Sequence, residues 1–266
     1  MTVRIALVTS DQQRHRWVAS QLAAVGDLVA VVNEGKPMNG HARDDHSNPE
    51  IASYFRERAA REAHWFAEAP TDMGDLTTTL FRCQWGAGNS STVYDLLVEK
   101  KPDLVFLFGS SIIREPILSH FEGHVINMHL GLSPYYRGSS TNFWPLVDGV
   151  PECVGVTVHH ATLKVDGGNI LFQARPGVAV GDSSHDLGCK SIMAGASLLQ
   201  KVVASAACLT GGVAQMGGGK LCRRDDFTLA ALRHMQKNFA AGMIERYIQE
   251  KISRDAGYPI IEGLSQ

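Results

Sequence analysis

The sequence predicts an α/β fold: a Rossmann-like, open, mostly parallel twisted sheet with helices on both faces, plus a small C-terminal appendage. Three observations carry this. Residues 3–9, 28–32 and 104–108 are short apolar runs, rich in β-branched or large side chains, with no polar alternation, as expected of strands covered on both faces. The segments following the early strands have helix length and helical spacing of apolar residues, the alternation that builds parallel sheets. The 266 residues are 44% hydrophobic and 20% charged, the composition of a globular chain able to bury a substantial core.

Taken in order, residues 3–9 open the sheet, and Ser10 or Asp11 can cap a helix running to about residue 25. Residues 28–32 are the second buried strand, and this β-α-β opening argues for parallel pairing. The polar stretch 35–47 reads as an irregular loop, with His41 and His46 solvated rather than metal-bound. Asn48 can cap a helix over 49–69, with Ile51, Phe55, Ala59, Ala63 and Phe66 at roughly helical spacing; Trp65 and Phe66 read as core or interface. A short strand at 80–83, a helix at 93–100, the strand at 104–108, a short helix at 114–120 and a strand at 125–128 follow. A helix at 141–147 leads to a strand pair, 155–160 and 169–175, joined by a turn around Asp166. Ser183 or Ser184 starts a long helix to about residue 208. After a Gly-rich break at 211–219, residues 225–228 can cap a final helix carrying Leu229, Leu232, Met235 and Phe239. A boundary near residue 210 divides the chain into a catalytic domain, 1–210, and a small extension, 211–266.

The net charge of −2 gives no general attraction to nucleic acid or to an anionic membrane. Arg223 with Arg224 reads as a solvated pair. Five cysteines, an odd number with no CxxC spacing, argue against a disulfide framework or a structural zinc site. The short apolar run at the N-terminus is neither a signal peptide nor a membrane span, so a cytoplasmic protein with reduced thiols is expected. Gly217-Gly218-Gly219-Lys220 is not a phosphate loop, because Leu221 replaces the required Ser/Thr and no strand precedes it.

The chemistry-bearing residues fall in two segments. In Asn127-Met-His129-Leu-Gly-Leu-Ser133-Pro134-Tyr135-Tyr136-Arg137-Gly138, Asn127 and His129 are two apart at the end of a strand. Period-two geometry places both on one face, at the sheet edge where ligands bind in open α/β folds. An amide can donate to a developing oxyanion, and an imidazole can stabilise the same charge or handle a proton; the same pair also fits a purely structural strand end. In Thr157-Val-His159-His160-Ala-Thr-Leu-Lys-Val-Asp166-Gly167-Gly168, Asp166 can polarise an imidazole or accept a proton. Equally, it can shape a turn in which Gly167 and Gly168 take positive φ.

Together, Asn127-x-His129, Ser133-Pro134-x-x-Arg137-Gly138 and Thr157-Val158-His159 followed by Val165-Asp166-x-Gly168 resemble the formyltransferase family. That family includes glycinamide ribonucleotide formyltransferase, methionyl-tRNA formyltransferase and the sugar N-formyltransferases. The likeness is tightest over residues 103–175 and extends loosely to about residue 210. It implies direct formyl transfer from 10-formyltetrahydrofolate to a small-molecule amine, without metal, nucleic acid or membrane; a homodimer stays open. By resemblance, Asn127 would bind the formyl oxygen, His129 would stabilise the oxyanion, and Asp166 would position the imidazole and manage the amine proton. His159 falls where the family has a supporting His, while His160 points to the opposite face and reads as structural. Gly109, Ser111, Ile112 and Ile113 would line the folate pocket, the two isoleucines packing on the pterin or else plugging the core. The turn at 163–166, with Leu163 and Val165, would read the pterin edge through its backbone. Ser133, Tyr135, Tyr136 and Arg137 would contact the acceptor or shape its loop. An oxyanion donor contributes on the order of 3 kcal/mol, so losing Asn127 is expected to cost roughly a hundredfold in rate or more.

The acceptor is argued from departures. The chain lacks the length of a methionyl-tRNA formyltransferase and is not basic. Thr9-Ser10-Asp11-Gln12-Gln13-Arg14 has no glycine where the purine-pathway enzymes carry a phosphate loop. The helix at 49–69 and the KLCRRDDFT segment resemble sugar formyltransferases, which makes a nucleotide-linked amino sugar the first choice and N5-hydroxyornithine of siderophore synthesis the second. A formyltetrahydrofolate hydrolase is a further alternative, but such relatives carry an N-terminal regulatory domain, whereas here Val3 already starts the first strand. A silent folate-binding module is disfavoured because Asn127, His129 and Asp166 are all present.

Overall fold

The computed structural model describes residues 2–35, 48–206, 209 and 211–263; His41, His46 and Cys208 lie outside them. Strands β1 (Arg4–Thr9), β2 (Asp27–Gly35), β3 (Leu80–Gln84), β4 (Leu104–Phe108) and β5 (Val125–His129) pair in parallel. β7 (Val156–His160) and β8 (Ile170–Ala174) close one edge antiparallel, giving the order β3-β2-β1-β4-β5-β7-β8. The chain leaves β1 in one direction for β2 and β3 and later returns to β1's other side for β4, so β1 and β4 mark the point where strand order reverses. Ligands in such sheets bind beyond the carboxyl ends at that point.

Burial on both faces follows strand alternation. Ile5 and Leu7 join Phe106, Ile126 and Met128 under α1 (Gln13–Ala23) and α6 (Ser184–Ala204). Their neighbours Ala6 and Val8 point the other way, into a cluster with Val93 and Leu97 of α3 (Ser91–Lys100) and with Ile117 of the short α4 (Ile117–His120). This is why the strands read as unbroken apolar runs: each successive residue meets a different helical layer. Leu7 is fully buried, and truncating such a side chain to Ala costs about 2–5 kcal/mol.

Local chemistry accounts for most element ends. Asn48 accepts hydrogen bonds from the N–H groups of Glu50 and Ile51 at the head of α2 (Pro49–Trp65). Ser183 and Asp186 form a reciprocal capping box on α6. At α1 the expected Ser10 or Asp11 cap is replaced by Gln12, with no side-chain cap. β2 continues beyond residue 32 because Asn33 and Glu34, although polar, are buried among loops. The helix expected at 141–147 contracts to α5 (Trp144–Val147), after which Asp148 takes up Tyr136 and Lys220.

Beyond residue 210 the chain adds β9 (Lys220–Cys222), parallel to β6 (Tyr136–Gly138). Thr228 caps α7 (Leu229–Ala240), as the sequence suggests. A second tail helix, α8 (Met243–Ala256), was not anticipated; Gly242, at φ +76°, ends the first helix and turns the chain into it. Leu232, Met235, Met243 and Ile244 are buried with Trp144, Leu146, Leu187 and Ile51 in a third cluster. No helix among the described residues is long and apolar enough to cross a membrane.

Candidate active site

Three elements bring the polar residues together at the carboxyl edge of the sheet. Asn127 and His129 project from one face of β5, and β7 lies antiparallel to it with His159 directly opposite Asn127. The β7–β8 turn then returns Asp166 over the same face. Its Oδ1 lies 3.3 Å from His129 Nδ1, 3.4 Å from Asn127 Nδ2 and 3.6 Å from His159 Nε2. Its Oδ2 accepts from the Gly138 N–H at 3.0 Å.

Asp166 itself adopts φ +49°, in the left-handed region. Gly167 and Gly168, expected to take positive φ, do not; a Cβ at Gly168 would lie 1.8 Å from the His160 carbonyl oxygen, so close approach is what demands glycine there. A left-handed Asp costs on the order of 1 kcal/mol, offset here by the contacts its carboxylate makes.

Hydrogen bonding sets the tautomers. His159 Nδ1 donates to the His160 carbonyl at 2.8 Å, which leaves Nε2 to accept from Asn127 Nδ2 at 3.1 Å. His129 has an acceptor at each nitrogen: Asp166 beside Nδ1, and the Tyr136 carbonyl 3.3 Å from Nε2. Thr141 Oγ1 is 3.2 Å from the same Nε2 and donates to the Leu130 carbonyl. Burial is the largest influence on His129 and pushes its pKa down despite the pull of Asp166. At Asp166 burial opposes the charge, but His129, His159 and the Gly138 N–H outweigh it and hold the carboxyl well below the usual range. The resting site is therefore a neutral imidazole against a carboxylate. The carboxylate and the Tyr136 carbonyl stand ready to stabilise a second proton on that ring.

The four residues border a cavity of about 650 Å³ whose walls come from both faces of the sheet. On one side stand Trp85, Ser110, Ser111, Ile112 and Val165; on the other, Tyr54, Phe55, Arg58, His185, Arg224 and Phe227. Trp85, Ile112 and Val165 are large apolar side chains, each 40–50% exposed, and all three face this one cavity. Such a wall fits a flat, partly apolar ring system. Gly109 turns the chain at φ +65° to form its floor, and a Cβ there would lie 2.4 Å from His15 Nε2. Glu34 ties this side together. Its carboxylate accepts from the N–H groups of Gly86, Gly88 and Ser111 and from the Ser111 hydroxyl, at 2.6–3.0 Å.

The structure brings some of the expected binding residues to the cavity and takes others away. Gly109, Ser111, Ile112, Ile113, His159 and Val165 line it. Ile113 is nonetheless 4% exposed and part of the core, whereas its neighbour Ile112 is half exposed. Leu163 is 63% exposed and outside the lining, because the turn directs it to solvent. The expected acceptor contacts Ser133, Tyr135, Tyr136 and Arg137 also lie outside it. Ser133 is fully buried, its N–H bonded to Thr157 Oγ1 and its carbonyl to Gln173. Tyr135 donates to the Pro259 carbonyl and Tyr136 to Asp148. Arg137 has its Nε buried behind the same loop. In their place Ser139, Ser140, Thr141 and Asn142 face the cavity.

Trp85, Glu34, Arg14, the α2 residues, His185, Arg224 and Phe227 were not foreseen as site residues. For Glu34 alone the sequence held a signal, a carboxylate closing an otherwise apolar strand. The rest converge only through folding.

The formyl transferase family matches residues 9–203 of the chain. Over 87 residues the chain is 39% identical to phosphoribosylglycinamide formyltransferase of Escherichia coli (strain K12), an alignment covering 32% of this chain and 41% of that protein. The chain thus spans less than half the length of that curated relative. Among solved structures, phosphoribosylglycinamide formyltransferase from Anaplasma phagocytophilum superposes with a TM-score of 0.56 at 20% identity, covering 84% of this chain and 99% of that one. A sugar N-formyltransferase from Shewanella sp. superposes with a TM-score of 0.55 at 17% identity, covering 89% and 87%. At these identities the two structures share the fold.

Proposed function

The chain belongs to the formyl transferase family, and on that premise we propose that it transfers the formyl group of 10-formyltetrahydrofolate to a primary amine, that of a nucleotide-linked amino sugar. The observation that carries this reading is the meeting of Asn127, His129 and His159 within 3.6 Å of one oxygen of Asp166, beside a cavity with a partly exposed apolar wall.

The donor supplies an activated formyl carbon. Gly109, Ser111, Ile112, Trp85 and Val165 would hold its ring, with Glu34 fixing the loops that carry them. Asn127 Nδ2 is the amide donor beside the reacting carbon, placed to meet negative charge developing on the formyl oxygen. The neutral amine attacks the formyl carbon, and as the tetrahedral intermediate collapses the bond to the folate nitrogen breaks. His129, neutral at rest, stabilises the oxyanion and relays the proton lost by the amine to that leaving nitrogen, which departs as tetrahydrofolate. Asp166 keeps the imidazole in register and opposes the positive charge that appears on it.

The amino-sugar acceptor is supported by two features. The segment after β1 has no phosphate-cradling glycines and instead places Arg14 in the cavity wall. The 49–65 helix and the tail supply further walls, as the sequence likeness to sugar formyltransferases implies.

The test is a panel of UDP- and dTDP-linked amino sugars, glycinamide ribonucleotide and N5-hydroxyornithine, each incubated with 10-formyltetrahydrofolate and read by the mass gain of one formyl group. Formylation of a nucleotide-linked amino sugar, lost in His129→Ala with folding intact, is expected. Formate release without amine, or formylation of only the other two acceptors, would overturn the reading.

A further inference from the structure

We infer that the half of the cavity walled by α2 and by the tail beyond β9 binds a nucleoside phosphate: Arg58 and Arg224 meet the charge, and Tyr54, Phe55 and Phe227 meet the flat ring. This rests on the proposed transfer to an amine acceptor and assigns that acceptor's handle to particular residues.

Charge comes first. The chain has a net charge of −2, yet among the described residues the cavity lining carries Arg14, Arg58, Lys164 and Arg224 against two carboxylates, Glu62 and Asp166. Asp166 is committed to the imidazoles. Glu62 is shared by two guanidiniums: Arg14 Nη1 reaches both of its oxygens at 2.7 and 2.6 Å, and Arg58 Nε reaches one at 2.8 Å. One carboxylate for two guanidiniums leaves a positive charge in a largely buried wall. Burial lowers Arg14 to about 10, so both guanidiniums stay charged at neutral pH. The Arg58 side chain is 33% exposed, anchored on Glu62 and still reachable from the cavity. An anion that desolvates this wall regains the missing partner.

The aromatic wall is independent of that charge. Phe227 packs 5.7 Å from Phe55, 6.0 Å from Tyr54 and 4.9 Å from Phe143, ring centre to ring centre. Tyr54, Phe55 and Phe227 are half-buried and face the cavity, and Tyr54 and Phe227 present ring surface on which a planar base can stack. Between charge and rings lies His185, 8% exposed, its ring 4.3 Å from Tyr54 and its Nε2 without a hydrogen-bond partner. Burial, then Arg58, holds His185 down to about 4, so Nε2 offers a neutral hydrogen bond. A buried polar atom aimed into a cavity without a partner is costly, and a ligand donor or acceptor would satisfy it. Arg224 and Phe227 also lie beyond the residues 9–203 that match the family, so the tail adds to this wall what the matched segment does not supply.

The test is calorimetric binding of UDP, dTDP, uridine, inorganic pyrophosphate and ornithine to the full chain, with tetrahydrofolate titrated in parallel. A nucleoside diphosphate should bind at least tenfold more tightly than uridine or pyrophosphate. Arg224→Gln, at an exposed position, and Phe227→Ala should each weaken it about tenfold, while tetrahydrofolate affinity stays unchanged. Arg58→Gln should weaken it more, and the Arg224 variant guards against misfolding from the loss of an ion-paired residue. Diphosphate binding no tighter than that of uridine, binding untouched by both tail variants, or binding of ornithine alone would overturn the inference. Nucleotide binding with no formylation of any amine would leave this site standing and remove the proposed transfer. Formylation of an amine with no nucleotide affinity would do the reverse.

Discussion

Replacing Asp166 by Asn strikes the centre at its most connected atom. The amide keeps the shape of the carboxyl and discards its charge. If its oxygen stays on the Gly138 N–H, its NH2 points at His129 Nδ1 and at Asn127 Nδ2, which lie 3.3 and 3.4 Å from the oxygen it replaces. Asn127 is itself a donor there, and His129 must move its proton to Nε2 to accept. The larger loss is electrostatic. A positive charge forming on the imidazole no longer has a carboxylate 3.3 Å away. With an effective dielectric of about 20, that attraction is about 5 kcal/mol, which corresponds to a rate loss of several thousandfold, about 10³–10⁴. The assay is single-turnover formation of the formylated amine at neutral pH, with the melting temperature measured alongside. The rate constant should fall by that factor while the KM for the donor changes little, since the cavity keeps its volume. A folded variant within tenfold of the parent rate would refute the reasoning and reduce Asp166 to a turn residue.

Four further outcomes follow from the same geometry. Because burial lowers the His129 pKa, the acid limb of kcat/KM should fall below about pH 6.5, the ordinary imidazole value; a limb above it would mean that the pull of Asp166 outweighs burial, or that another group sets the limb. His185, held to about 4 when folded, binds its proton more readily when unfolded, so stability should drop as pH falls from about 6.5 toward 4; urea unfolding across that range should show a shallower drop in His185→Gln. Gly138→Ala would place a Cβ 2.2 Å from the Cys222 carbonyl oxygen at φ +96°, pulling the N–H off Asp166; it should lose at least tenfold in kcat and about 1–3 kcal/mol of stability, whereas Gly123→Ala, at φ +77° with nothing within 4 Å, should lose stability alone. Glu34→Gln replaces one of two accepting oxygens with a donor facing N–H groups, and should raise the KM for the donor several-fold with kcat nearly kept; an unchanged KM would detach Glu34 from the folate loops.

The primary sequence determined the sheet and the polar strand ends. Apolar runs flanked on both faces by helices leave few alternatives to a parallel sheet, and period-two geometry alone places Asn127 and His129 side by side on β5. Asn48, Ser183 and Thr228 were legible as caps because capping is local chemistry. Only the tertiary structure decided which residues around those strand ends face the cavity. Tyr135 and Tyr136 follow β5 closely, yet their hydroxyls are taken up by Pro259 and Asp148. Arg58, His185 and Arg224, far apart in the chain, meet across one opening. The physical reason is range. Periodicity and capping act over a few residues, whereas the wall of a cavity is set by how whole elements dock, and α2 and the tail dock through buried apolar contacts that carry no local mark of what their polar faces will meet.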